Sequence, residues 1–253
     1  FTPLNELRYL SIADEALRNG QFFTFTNHGI PYADKPPLFL WFIMVSKSLL
    51  GSHQMWVLAL GSLLPALVII NIMDHWVKDE LDPANRLSAQ LMLLTSGLFL
   101  GAALVIRMDM LMCMFIVLSL KTFYSMYKQK GKKWDVYLFP FYVFMAIFSK
   151  GPFGLIIPLL VSIGYIIFKK KLRTIKFYWG WKTWLILIFL CSVWFFGVYF
   201  ESGPEYLNNL LFHQTVNRGI NTFHHKEPFY YYMVSYWYSL APWSLLIFGV
   251  LLL

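Results

Sequence analysis

Charge is scarce in this sequence: 13% of its 253 residues are Asp, Glu, Lys or Arg, against 58% that are hydrophobic. A chain so poor in charge cannot solvate the surface of a water-soluble domain, and the intrinsically disordered and acidic-tail classes are excluded with it. Cysteine is nearly missing. Cys113 and Cys191 both lie inside apolar runs, so there is no disulfide framework and no cysteine metal motif, and the redox compartment is not readable. Alternation of polar and apolar residues, internal repeats, low-complexity tracts and Ser/Gly-rich joints are also lacking, which excludes a solenoid or a string of modules and leaves 1–253 as one expected domain. The formal net charge of +8 does not point to a nucleic-acid partner, because most Lys and Arg sit in three tight clusters between apolar runs.

What is present is a series of long apolar runs. Crossing a hydrocarbon core of about 30 Å takes roughly 20 apolar residues, and Trp56–Trp76, Leu87–Leu104, Met110–Tyr127 and Thr183–Phe200 satisfy this. The clusters between them hold Lys78 and Arg86, then Lys128, Lys130, Lys132 and Lys133, then Lys169, Lys170, Lys171, Arg173, Lys176 and Lys182. The positive-inside rule makes these three loops cytoplasmic. The run Trp134–Phe168 is then flanked on both sides by cytoplasmic loops. It must cross an even number of times and turn at Ser149-Lys150-Gly151-Pro152.

The expected fold is therefore an all-α polytopic membrane protein. Residues 1–55 form an outer loop with a short interfacial helix at Leu38–Leu50, 56–200 hold the transmembrane helices, 201–241 form a second outer loop, and 242–253 begin a further transmembrane helix. The chain opens on Phe1, and the last apolar run, from Pro242 to Leu253, is too short to cross. The expectation is a fragment that lacks pieces at both ends.

This arrangement sends the unusual polar residues to the outer side. Asn5-Glu6-Leu7-Arg8-Tyr9, with Asp14 and Glu15 beyond, brings a carboxylate, an amide and a guanidinium to one outer helix; a solvated amphipathic helix has the same spacing. Tyr32-Ala33-Asp34-Lys35-Pro36-Pro37-Leu38 is stiffened by its prolines. It presents an acid and a cation in opposite directions, as would an exposed ion pair on a turn. Arg107-Met108-Asp109 and the hairpin-tip Lys150 lie near the membrane boundary, where ionisable groups are costly unless they face a polar cavity or snorkel outward. The outer stretch with His213, Asn217, Arg218, His224, His225, Lys226 and Glu227 could bind phosphate or a divalent ion, although no zinc-motif spacing is present. The aromatic run Phe223–Trp243 fits either an interfacial belt or a platform for sugar or lipid. Acids and cations above apolar walls suit transfer from a lipid-linked phosphosugar: cations neutralise the leaving phosphate, and a carboxylate activates an acceptor or stabilises charge on the sugar ring.

Asn5-Glu6-x-Arg8-Tyr9, Tyr32-x-Asp34-Lys35-Pro36-Pro37-Leu38, Arg107-x-Asp109 and Lys150-Gly151-Pro152 together resemble the GT-C membrane glycosyltransferases of the protein O-mannosyltransferase and lipid A aminoarabinose transferase superfamily. The resemblance implies a GT-C multi-helix bundle with a non-cytoplasmic first loop and an inverting transfer. The implied donor is an undecaprenyl- or dolichyl-phosphate sugar, and the implied acceptor a lipid A-like glycolipid or a protein hydroxyl. The active site would face the periplasm from a bacterial inner membrane. Glu6, Asp34 and Asn5 take the catalytic positions, Arg8, Tyr32, Lys35, Arg107, Lys150 and Arg218 the phosphate-binding ones, and Asp109, His224 and His225 give polar support. Family members usually carry Asp where this chain has Asn5, and an amide cannot act as a base. Either Glu6 or Asp34 supplies the carboxylate, or the acceptor is already an anion and needs no base, or the chain is catalytically impaired; the second is favoured, with Asp34 or Glu6 assisting. A transporter of lipid-linked sugars and a non-catalytic envelope scaffold are the competing classes. A transporter would need breaks or charges near the midplane, where Pro65 and Gly97 are the candidates.

Overall fold

The computed structural model of the chain describes residues 6–211, 228 and 230–251. Three of its helices are long and apolar enough to cross a membrane, or up to five segments if each of two bent pairs is taken as one span, among the described residues. Helix α1 (Glu6–Asn19) leads through a two-stranded antiparallel hairpin, β1 (Thr26–Asn27) and β2 (Ile30–Pro31), to α2 (Leu38–Leu50). The bundle follows: α3 (Met55–Val77), α4 (Pro83–Thr95), α5 (Gly97–Leu104), α6 (Asp109–Tyr127), α7 (Asp135–Lys150) and α8 (Phe153–Phe168). A 3₁₀ turn at Leu172–Thr174 and the short α9 (Ile175–Tyr178) precede α10 (Trp181–Asn208), and α11 (Tyr231–Ser239) and α12 (Ser244–Leu251) complete the described chain.

Most of the expected helices are present. Helices α3, α6 and α10 cover Trp56–Trp76, Met110–Tyr127 and Thr183–Phe200, and α10 runs on past Phe200 to Asn208, broken at Gly203 where φ is 74°. The turn at Ser149–Pro152 divides Trp134–Phe168 into α7 and α8. Gly151 sits at φ 103°, ψ −150°, a conformation open to glycine alone, and this reverses the chain. Two residues into α8, Gly154 lets the returning helix touch the backbone of α7: a Cβ there would lie 2.2 Å from the Ala146 carbonyl carbon.

One expectation is corrected. Leu87–Leu104 is not a single spanning helix; α4 and α5 meet at 64°. The break falls at Ser96, whose extended backbone (ψ 133°) leaves the amide of Gly97 free to donate to the Ala241 carbonyl at 2.8 Å instead of to its own helix. Trp243 Nε1 donates to Thr95 Oγ1 at 2.8 Å on the other side of the break. The partner segment is itself bent: α11 and α12 meet at 119°.

Helices α6 and α8 end alike. Gln129 (φ 58°) and Lys170 (φ 55°) are left-handed residues at the two helix ends, and Lys130 and Lys171 donate back to Ser125 and Ile166 at 3.0 and 3.1 Å. These are Schellman closures built without glycine. The bundle core is aromatic. Phe23, Trp41, Phe148 and Trp194 meet edge to face in sequence, with centroids 5.6, 5.3 and 5.3 Å apart, tying the first loop to α2, α7 and α10. A second cluster packs Tyr9, Ile12, Ala13 and Ala16 of α1 on Phe39, Leu40 and Ile43 of α2, with Ile106 and Met108 sealed beneath.

Candidate active site

The site forms where four pieces of chain meet: α1, the segment 32–37, the N-terminal end of α6 and the C-terminal end of α7. Asp109 opens α6 and Lys150 closes α7, so both charges are favoured by the helix dipoles at their positions. Lys150 Nζ donates to Asp109 Oδ1, and Arg107 Nε stands 3.7 Å from Oδ2 of the same carboxylate. Lys35 Nζ lies 3.6 Å from Asp34 Oδ2, and the Tyr32 hydroxyl donates to that oxygen at 3.4 Å. The Arg8 guanidinium lies 5.7 Å from the ring centroid of Tyr9 and 5.8 Å from that of Tyr32.

These groups share one electrostatic neighbourhood. Burial lowers the Lys35 ammonium below the ordinary lysine value; the cations of Lys150, Arg8 and Arg107 push the same way, and Asp109 opposes them. Four cations therefore face two carboxylates, Asp34 and Asp109, in a half-buried setting. The surplus positive charge suits a phosphate.

Glu6 has a different placement. It is 5% exposed, and its Oε1 accepts the Ile106 N–H at 2.9 Å. Ser62 of α3 grips the same segment, its Oγ 2.7 Å from the Val105 carbonyl oxygen and 3.0 Å from that of Arg107. The backbone that carries Arg107 is thus held from two sides. Asn5, Arg218, His224 and His225 lie outside the described residues.

Several functional-looking side chains serve the scaffold. Asp14 Oδ1 accepts from Lys47 Nζ and His53 Nε2, both at 2.6 Å, which fastens α1 to α2 and its following loop. Burial alone would raise this carboxyl, but the two hydrogen bonds outweigh it and hold it below its ordinary value. Glu15 accepts from the Thr26 hydroxyl and from the amides of His28 and Gly29 at 2.8 and 2.9 Å, so it caps the hairpin turn; these bonds hold its carboxyl low.

Sequence reasoning missed Glu201. Its carboxylate accepts the consecutive amides of Phe22, Phe23 and Thr24 at 2.6, 2.7 and 2.5 Å, and the Thr24 hydroxyl at 2.7 Å. The Tyr206 hydroxyl donates to the Tyr32 carbonyl at 2.7 Å and accepts the Phe25 amide at 3.0 Å. Together they suspend the loop before Asp34 and Lys35 from α10. A lone Glu at the end of an apolar run was the only signal available.

Among the described residues, no group of three or more His, Cys, Asp or Glu is placed to hold a metal ion.

The family profile described as dolichyl-phosphate-mannose-protein mannosyltransferase matches residues 34–196, well over half of the chain. The chain belongs to this family. It is similar to an uncharacterized protein of Aquifex aeolicus, 26% identical over 251 residues, which cover 98% of this chain and 48% of that protein. It is also similar to undecaprenyl phosphate-alpha-4-amino-4-deoxy-L-arabinose arabinosyl transferase 1 of Pseudomonas fluorescens, 24% identical over 249 residues, 96% of this chain and 45% of that protein. The chain thus spans about half the length of the curated relatives it matches. The crystal structure of ArnT from Cupriavidus metallidurans bound to undecaprenyl phosphate superposes with a TM-score of 0.79 at 20% identity, over 94% of this chain and 44% of that one. The fold is of the GT-C type, and the protein is an integral membrane protein.

Proposed function

We propose that the chain is the membrane-embedded half of a glycosyltransferase that takes a sugar from undecaprenyl phosphate and passes it to a lipid A-like glycolipid. Its site would face the periplasm from a bacterial inner membrane. One observation carries this reading: Arg8, Lys35, Arg107 and Lys150 converge with Asp34 and Asp109 at one end of an apolar helix bundle. The relatives named as undecaprenyl-phosphate aminoarabinose transferases, and the neighbour bound to undecaprenyl phosphate, support the choice of donor.

In the proposed reaction an acceptor oxygen attacks the anomeric carbon from the face opposite the phosphate. The carbon–oxygen bond to the phosphate breaks, and the electron pair leaves on undecaprenyl phosphate. Lys35, Lys150, Arg107 and Arg8 stabilise the charge that develops on that leaving group, while the polyprenyl chain lies along the apolar helices. Asp109 orients Lys150 and Arg107. Glu6 acts as a positioning residue through the Ile106 amide and does not touch substrate. Asp34 is left as the carboxylate facing the reacting sugar. With an anionic phosphate oxygen as acceptor there is no proton to remove, so the amide at Asn5 is no handicap; a hydroxyl acceptor would pass its proton to Asp34.

The test uses the full-length protein and radiolabelled undecaprenyl-phosphate sugars, offered a lipid A fraction and a protein fraction, with wild type compared against Asp34→Ala and Asn5→Asp. Label in the lipid fraction that disappears with Asp34→Ala is the expected result. Label confined to protein would move the acceptor to a hydroxyl, in line with the family's name. No transfer until Asn5→Asp is introduced would identify a degenerate relative and overturn the assignment.

A further inference from the structure

The opposite end of α6 carries a second cationic cluster, which the proposed reaction does not use. Helix α6 is 19 residues long, so at about 1.5 Å per residue its two ends stand roughly 28 Å apart. The loops 128–133 and 169–182 at the far end hold ten Lys and Arg and no acid. Loop charge alone would signify only topology. The arrangement of three of these lysines goes further.

Helices α6 and α8 finish with the same pattern, a Tyr followed four residues later by a Lys that caps the helix: Tyr124 with Lys128, and Tyr165 with Lys169. Lys128 Nζ lies 5.5 Å from the Tyr124 ring centroid and Lys169 Nζ 5.8 Å from that of Tyr165. Lys171, turned back by the Schellman closure, places its Nζ 5.1 Å from the ring of Tyr127. Tyr165 joins the other two rings, standing 6.0 Å from Tyr124 and 5.1 Å from Tyr127. Their floor therefore gathers three ammonium groups from two helices. Among the described residues none of the three is in a salt bridge, whereas Lys130 nearby is paired with Asp79 at 3.3 Å. Beside them Ile167 and Phe168 are 55% and 78% exposed, an apolar flank where the helix end meets the polar boundary of the bilayer.

We infer that Lys128, Lys169 and Lys171, on the floor of Tyr124, Tyr127 and Tyr165, bind the phosphate of an anionic phospholipid in the leaflet opposite the candidate active site. The three ammonium groups, each over one ring of the joined tyrosines, supply the charge, the hydroxyls of Tyr127 and Tyr165 supply further donors, and the exposed flank of α8 receives an acyl chain. A diacyl lipid is favoured over free phosphate because the cations lie at the edge of an apolar surface.

The test places the full-length protein in phosphatidylcholine nanodiscs containing increasing fractions of phosphatidylglycerol and follows thermal unfolding. Lipid retained after delipidating detergent washes is counted by native mass spectrometry. Lys128→Gln/Lys169→Gln/Lys171→Gln is compared with Lys132→Gln/Lys133→Gln/Lys176→Gln, which removes the same charge without touching the tyrosine floor; circular dichroism checks that both are folded. Wild type and the second variant should be stabilised by phosphatidylglycerol, and the first should lose most of that shift and retain several-fold less lipid. Equal loss in both variants, or no loss in either, would reduce the cluster to general surface charge and overturn the proposal. Stabilisation of wild type by inorganic phosphate alone, equal to that by phosphatidylglycerol, would overturn the choice of a lipid. Should the first variant fail to fold, Tyr127→Leu and Lys171→Gln singly must weaken lipid retention, or the proposal falls.

Discussion

Lys150, the last residue of α7, hydrogen-bonds through Nζ to Asp109, the first residue of α6, although the two stand 41 positions apart in the chain. The pair fixes where a cation sits at the mouth of the bundle, because Arg107 leans on the other oxygen of the same carboxylate. Asp109 is thus a hub for two cations, and in the proposed reaction it is engaged by them and does not act on the sugar. Lys150→Met should lower kcat/KM for transfer by about 10- to 100-fold, equivalent to roughly 1.4–2.8 kcal/mol. If Asp109 works through Lys150, adding Asp109→Asn to Lys150→Met should have much less effect than Asp109→Asn has alone, which a double-mutant cycle on the transfer assay reads directly. Fully additive losses would separate the two residues.

In the proposed reaction, Lys35 would make donor binding pH-dependent. Its ammonium is held below the ordinary lysine value of 10.5, chiefly by burial, so it loses its proton earlier on the alkaline side than an exposed lysine would. Donor binding should weaken with that loss, seen as a rise in the donor KM. Stability runs the other way: below 10.5 the unfolded chain binds this proton more tightly than the folded one, so this residue's contribution to stability improves as pH rises through its folded value. Lys35→Arg keeps the charge at every accessible pH and should move the alkaline rise in KM upward by about one pH unit or more. An unchanged profile would assign the limb to another group.

The parts of this fold that could be read from the sequence are those written locally. Runs of apolar residues dictated α3, α6 and α10, and Lys150-Gly151-Pro152 dictated the α7–α8 turn, because each rests on its own residues. The break between α4 and α5 was legible only as a possibility at Gly97, on the same footing as Pro65, through which α3 runs unbroken. What distinguishes the two is a partner the local sequence does not show, the Ala241 carbonyl that takes the Gly97 amide from far along the chain. The site divides in the same way. Arg107, Asp109 and Lys150 stand out because charge at such depth is costly, whereas Glu15 and Glu201 take their roles from backbone amides that no spacing rule connects to them.

Glu201 supports the site from a distance. Three backbone amides in a row and one hydroxyl converge on its carboxylate, and charge-assisted hydrogen bonds of this kind contribute about 1.5–3 kcal/mol each. Glu201→Gln keeps the size but leaves one oxygen and a surplus donor facing N–H groups. The amides of residues 22–24 should then exchange with deuterium at least about tenfold faster, and the donor KM should rise as Asp34 and Lys35 lose their fixed position. Unchanged exchange at those amides would mean that the loop is held by Tyr206 and packing alone.

Gly154 sets how closely α8 returns along α7. A Cβ at this position would stand 2.2 Å from the carbonyl carbon of Ala146 and 2.3 Å from the amide nitrogen of Ile147, and neither can move without bending α7. Overpacking of this sort costs about 1–3 kcal/mol. The strain would also tilt the end of the helix that carries Lys150. Gly154→Ala should therefore lower the thermal midpoint in detergent and reduce transfer together, while Gly164→Ala, on the same helix with open space around it, should change neither. A stable but inactive Gly154→Ala would point to the Lys150 end of the hairpin as the sensitive element, and a stable, active one would show that the helices separate easily.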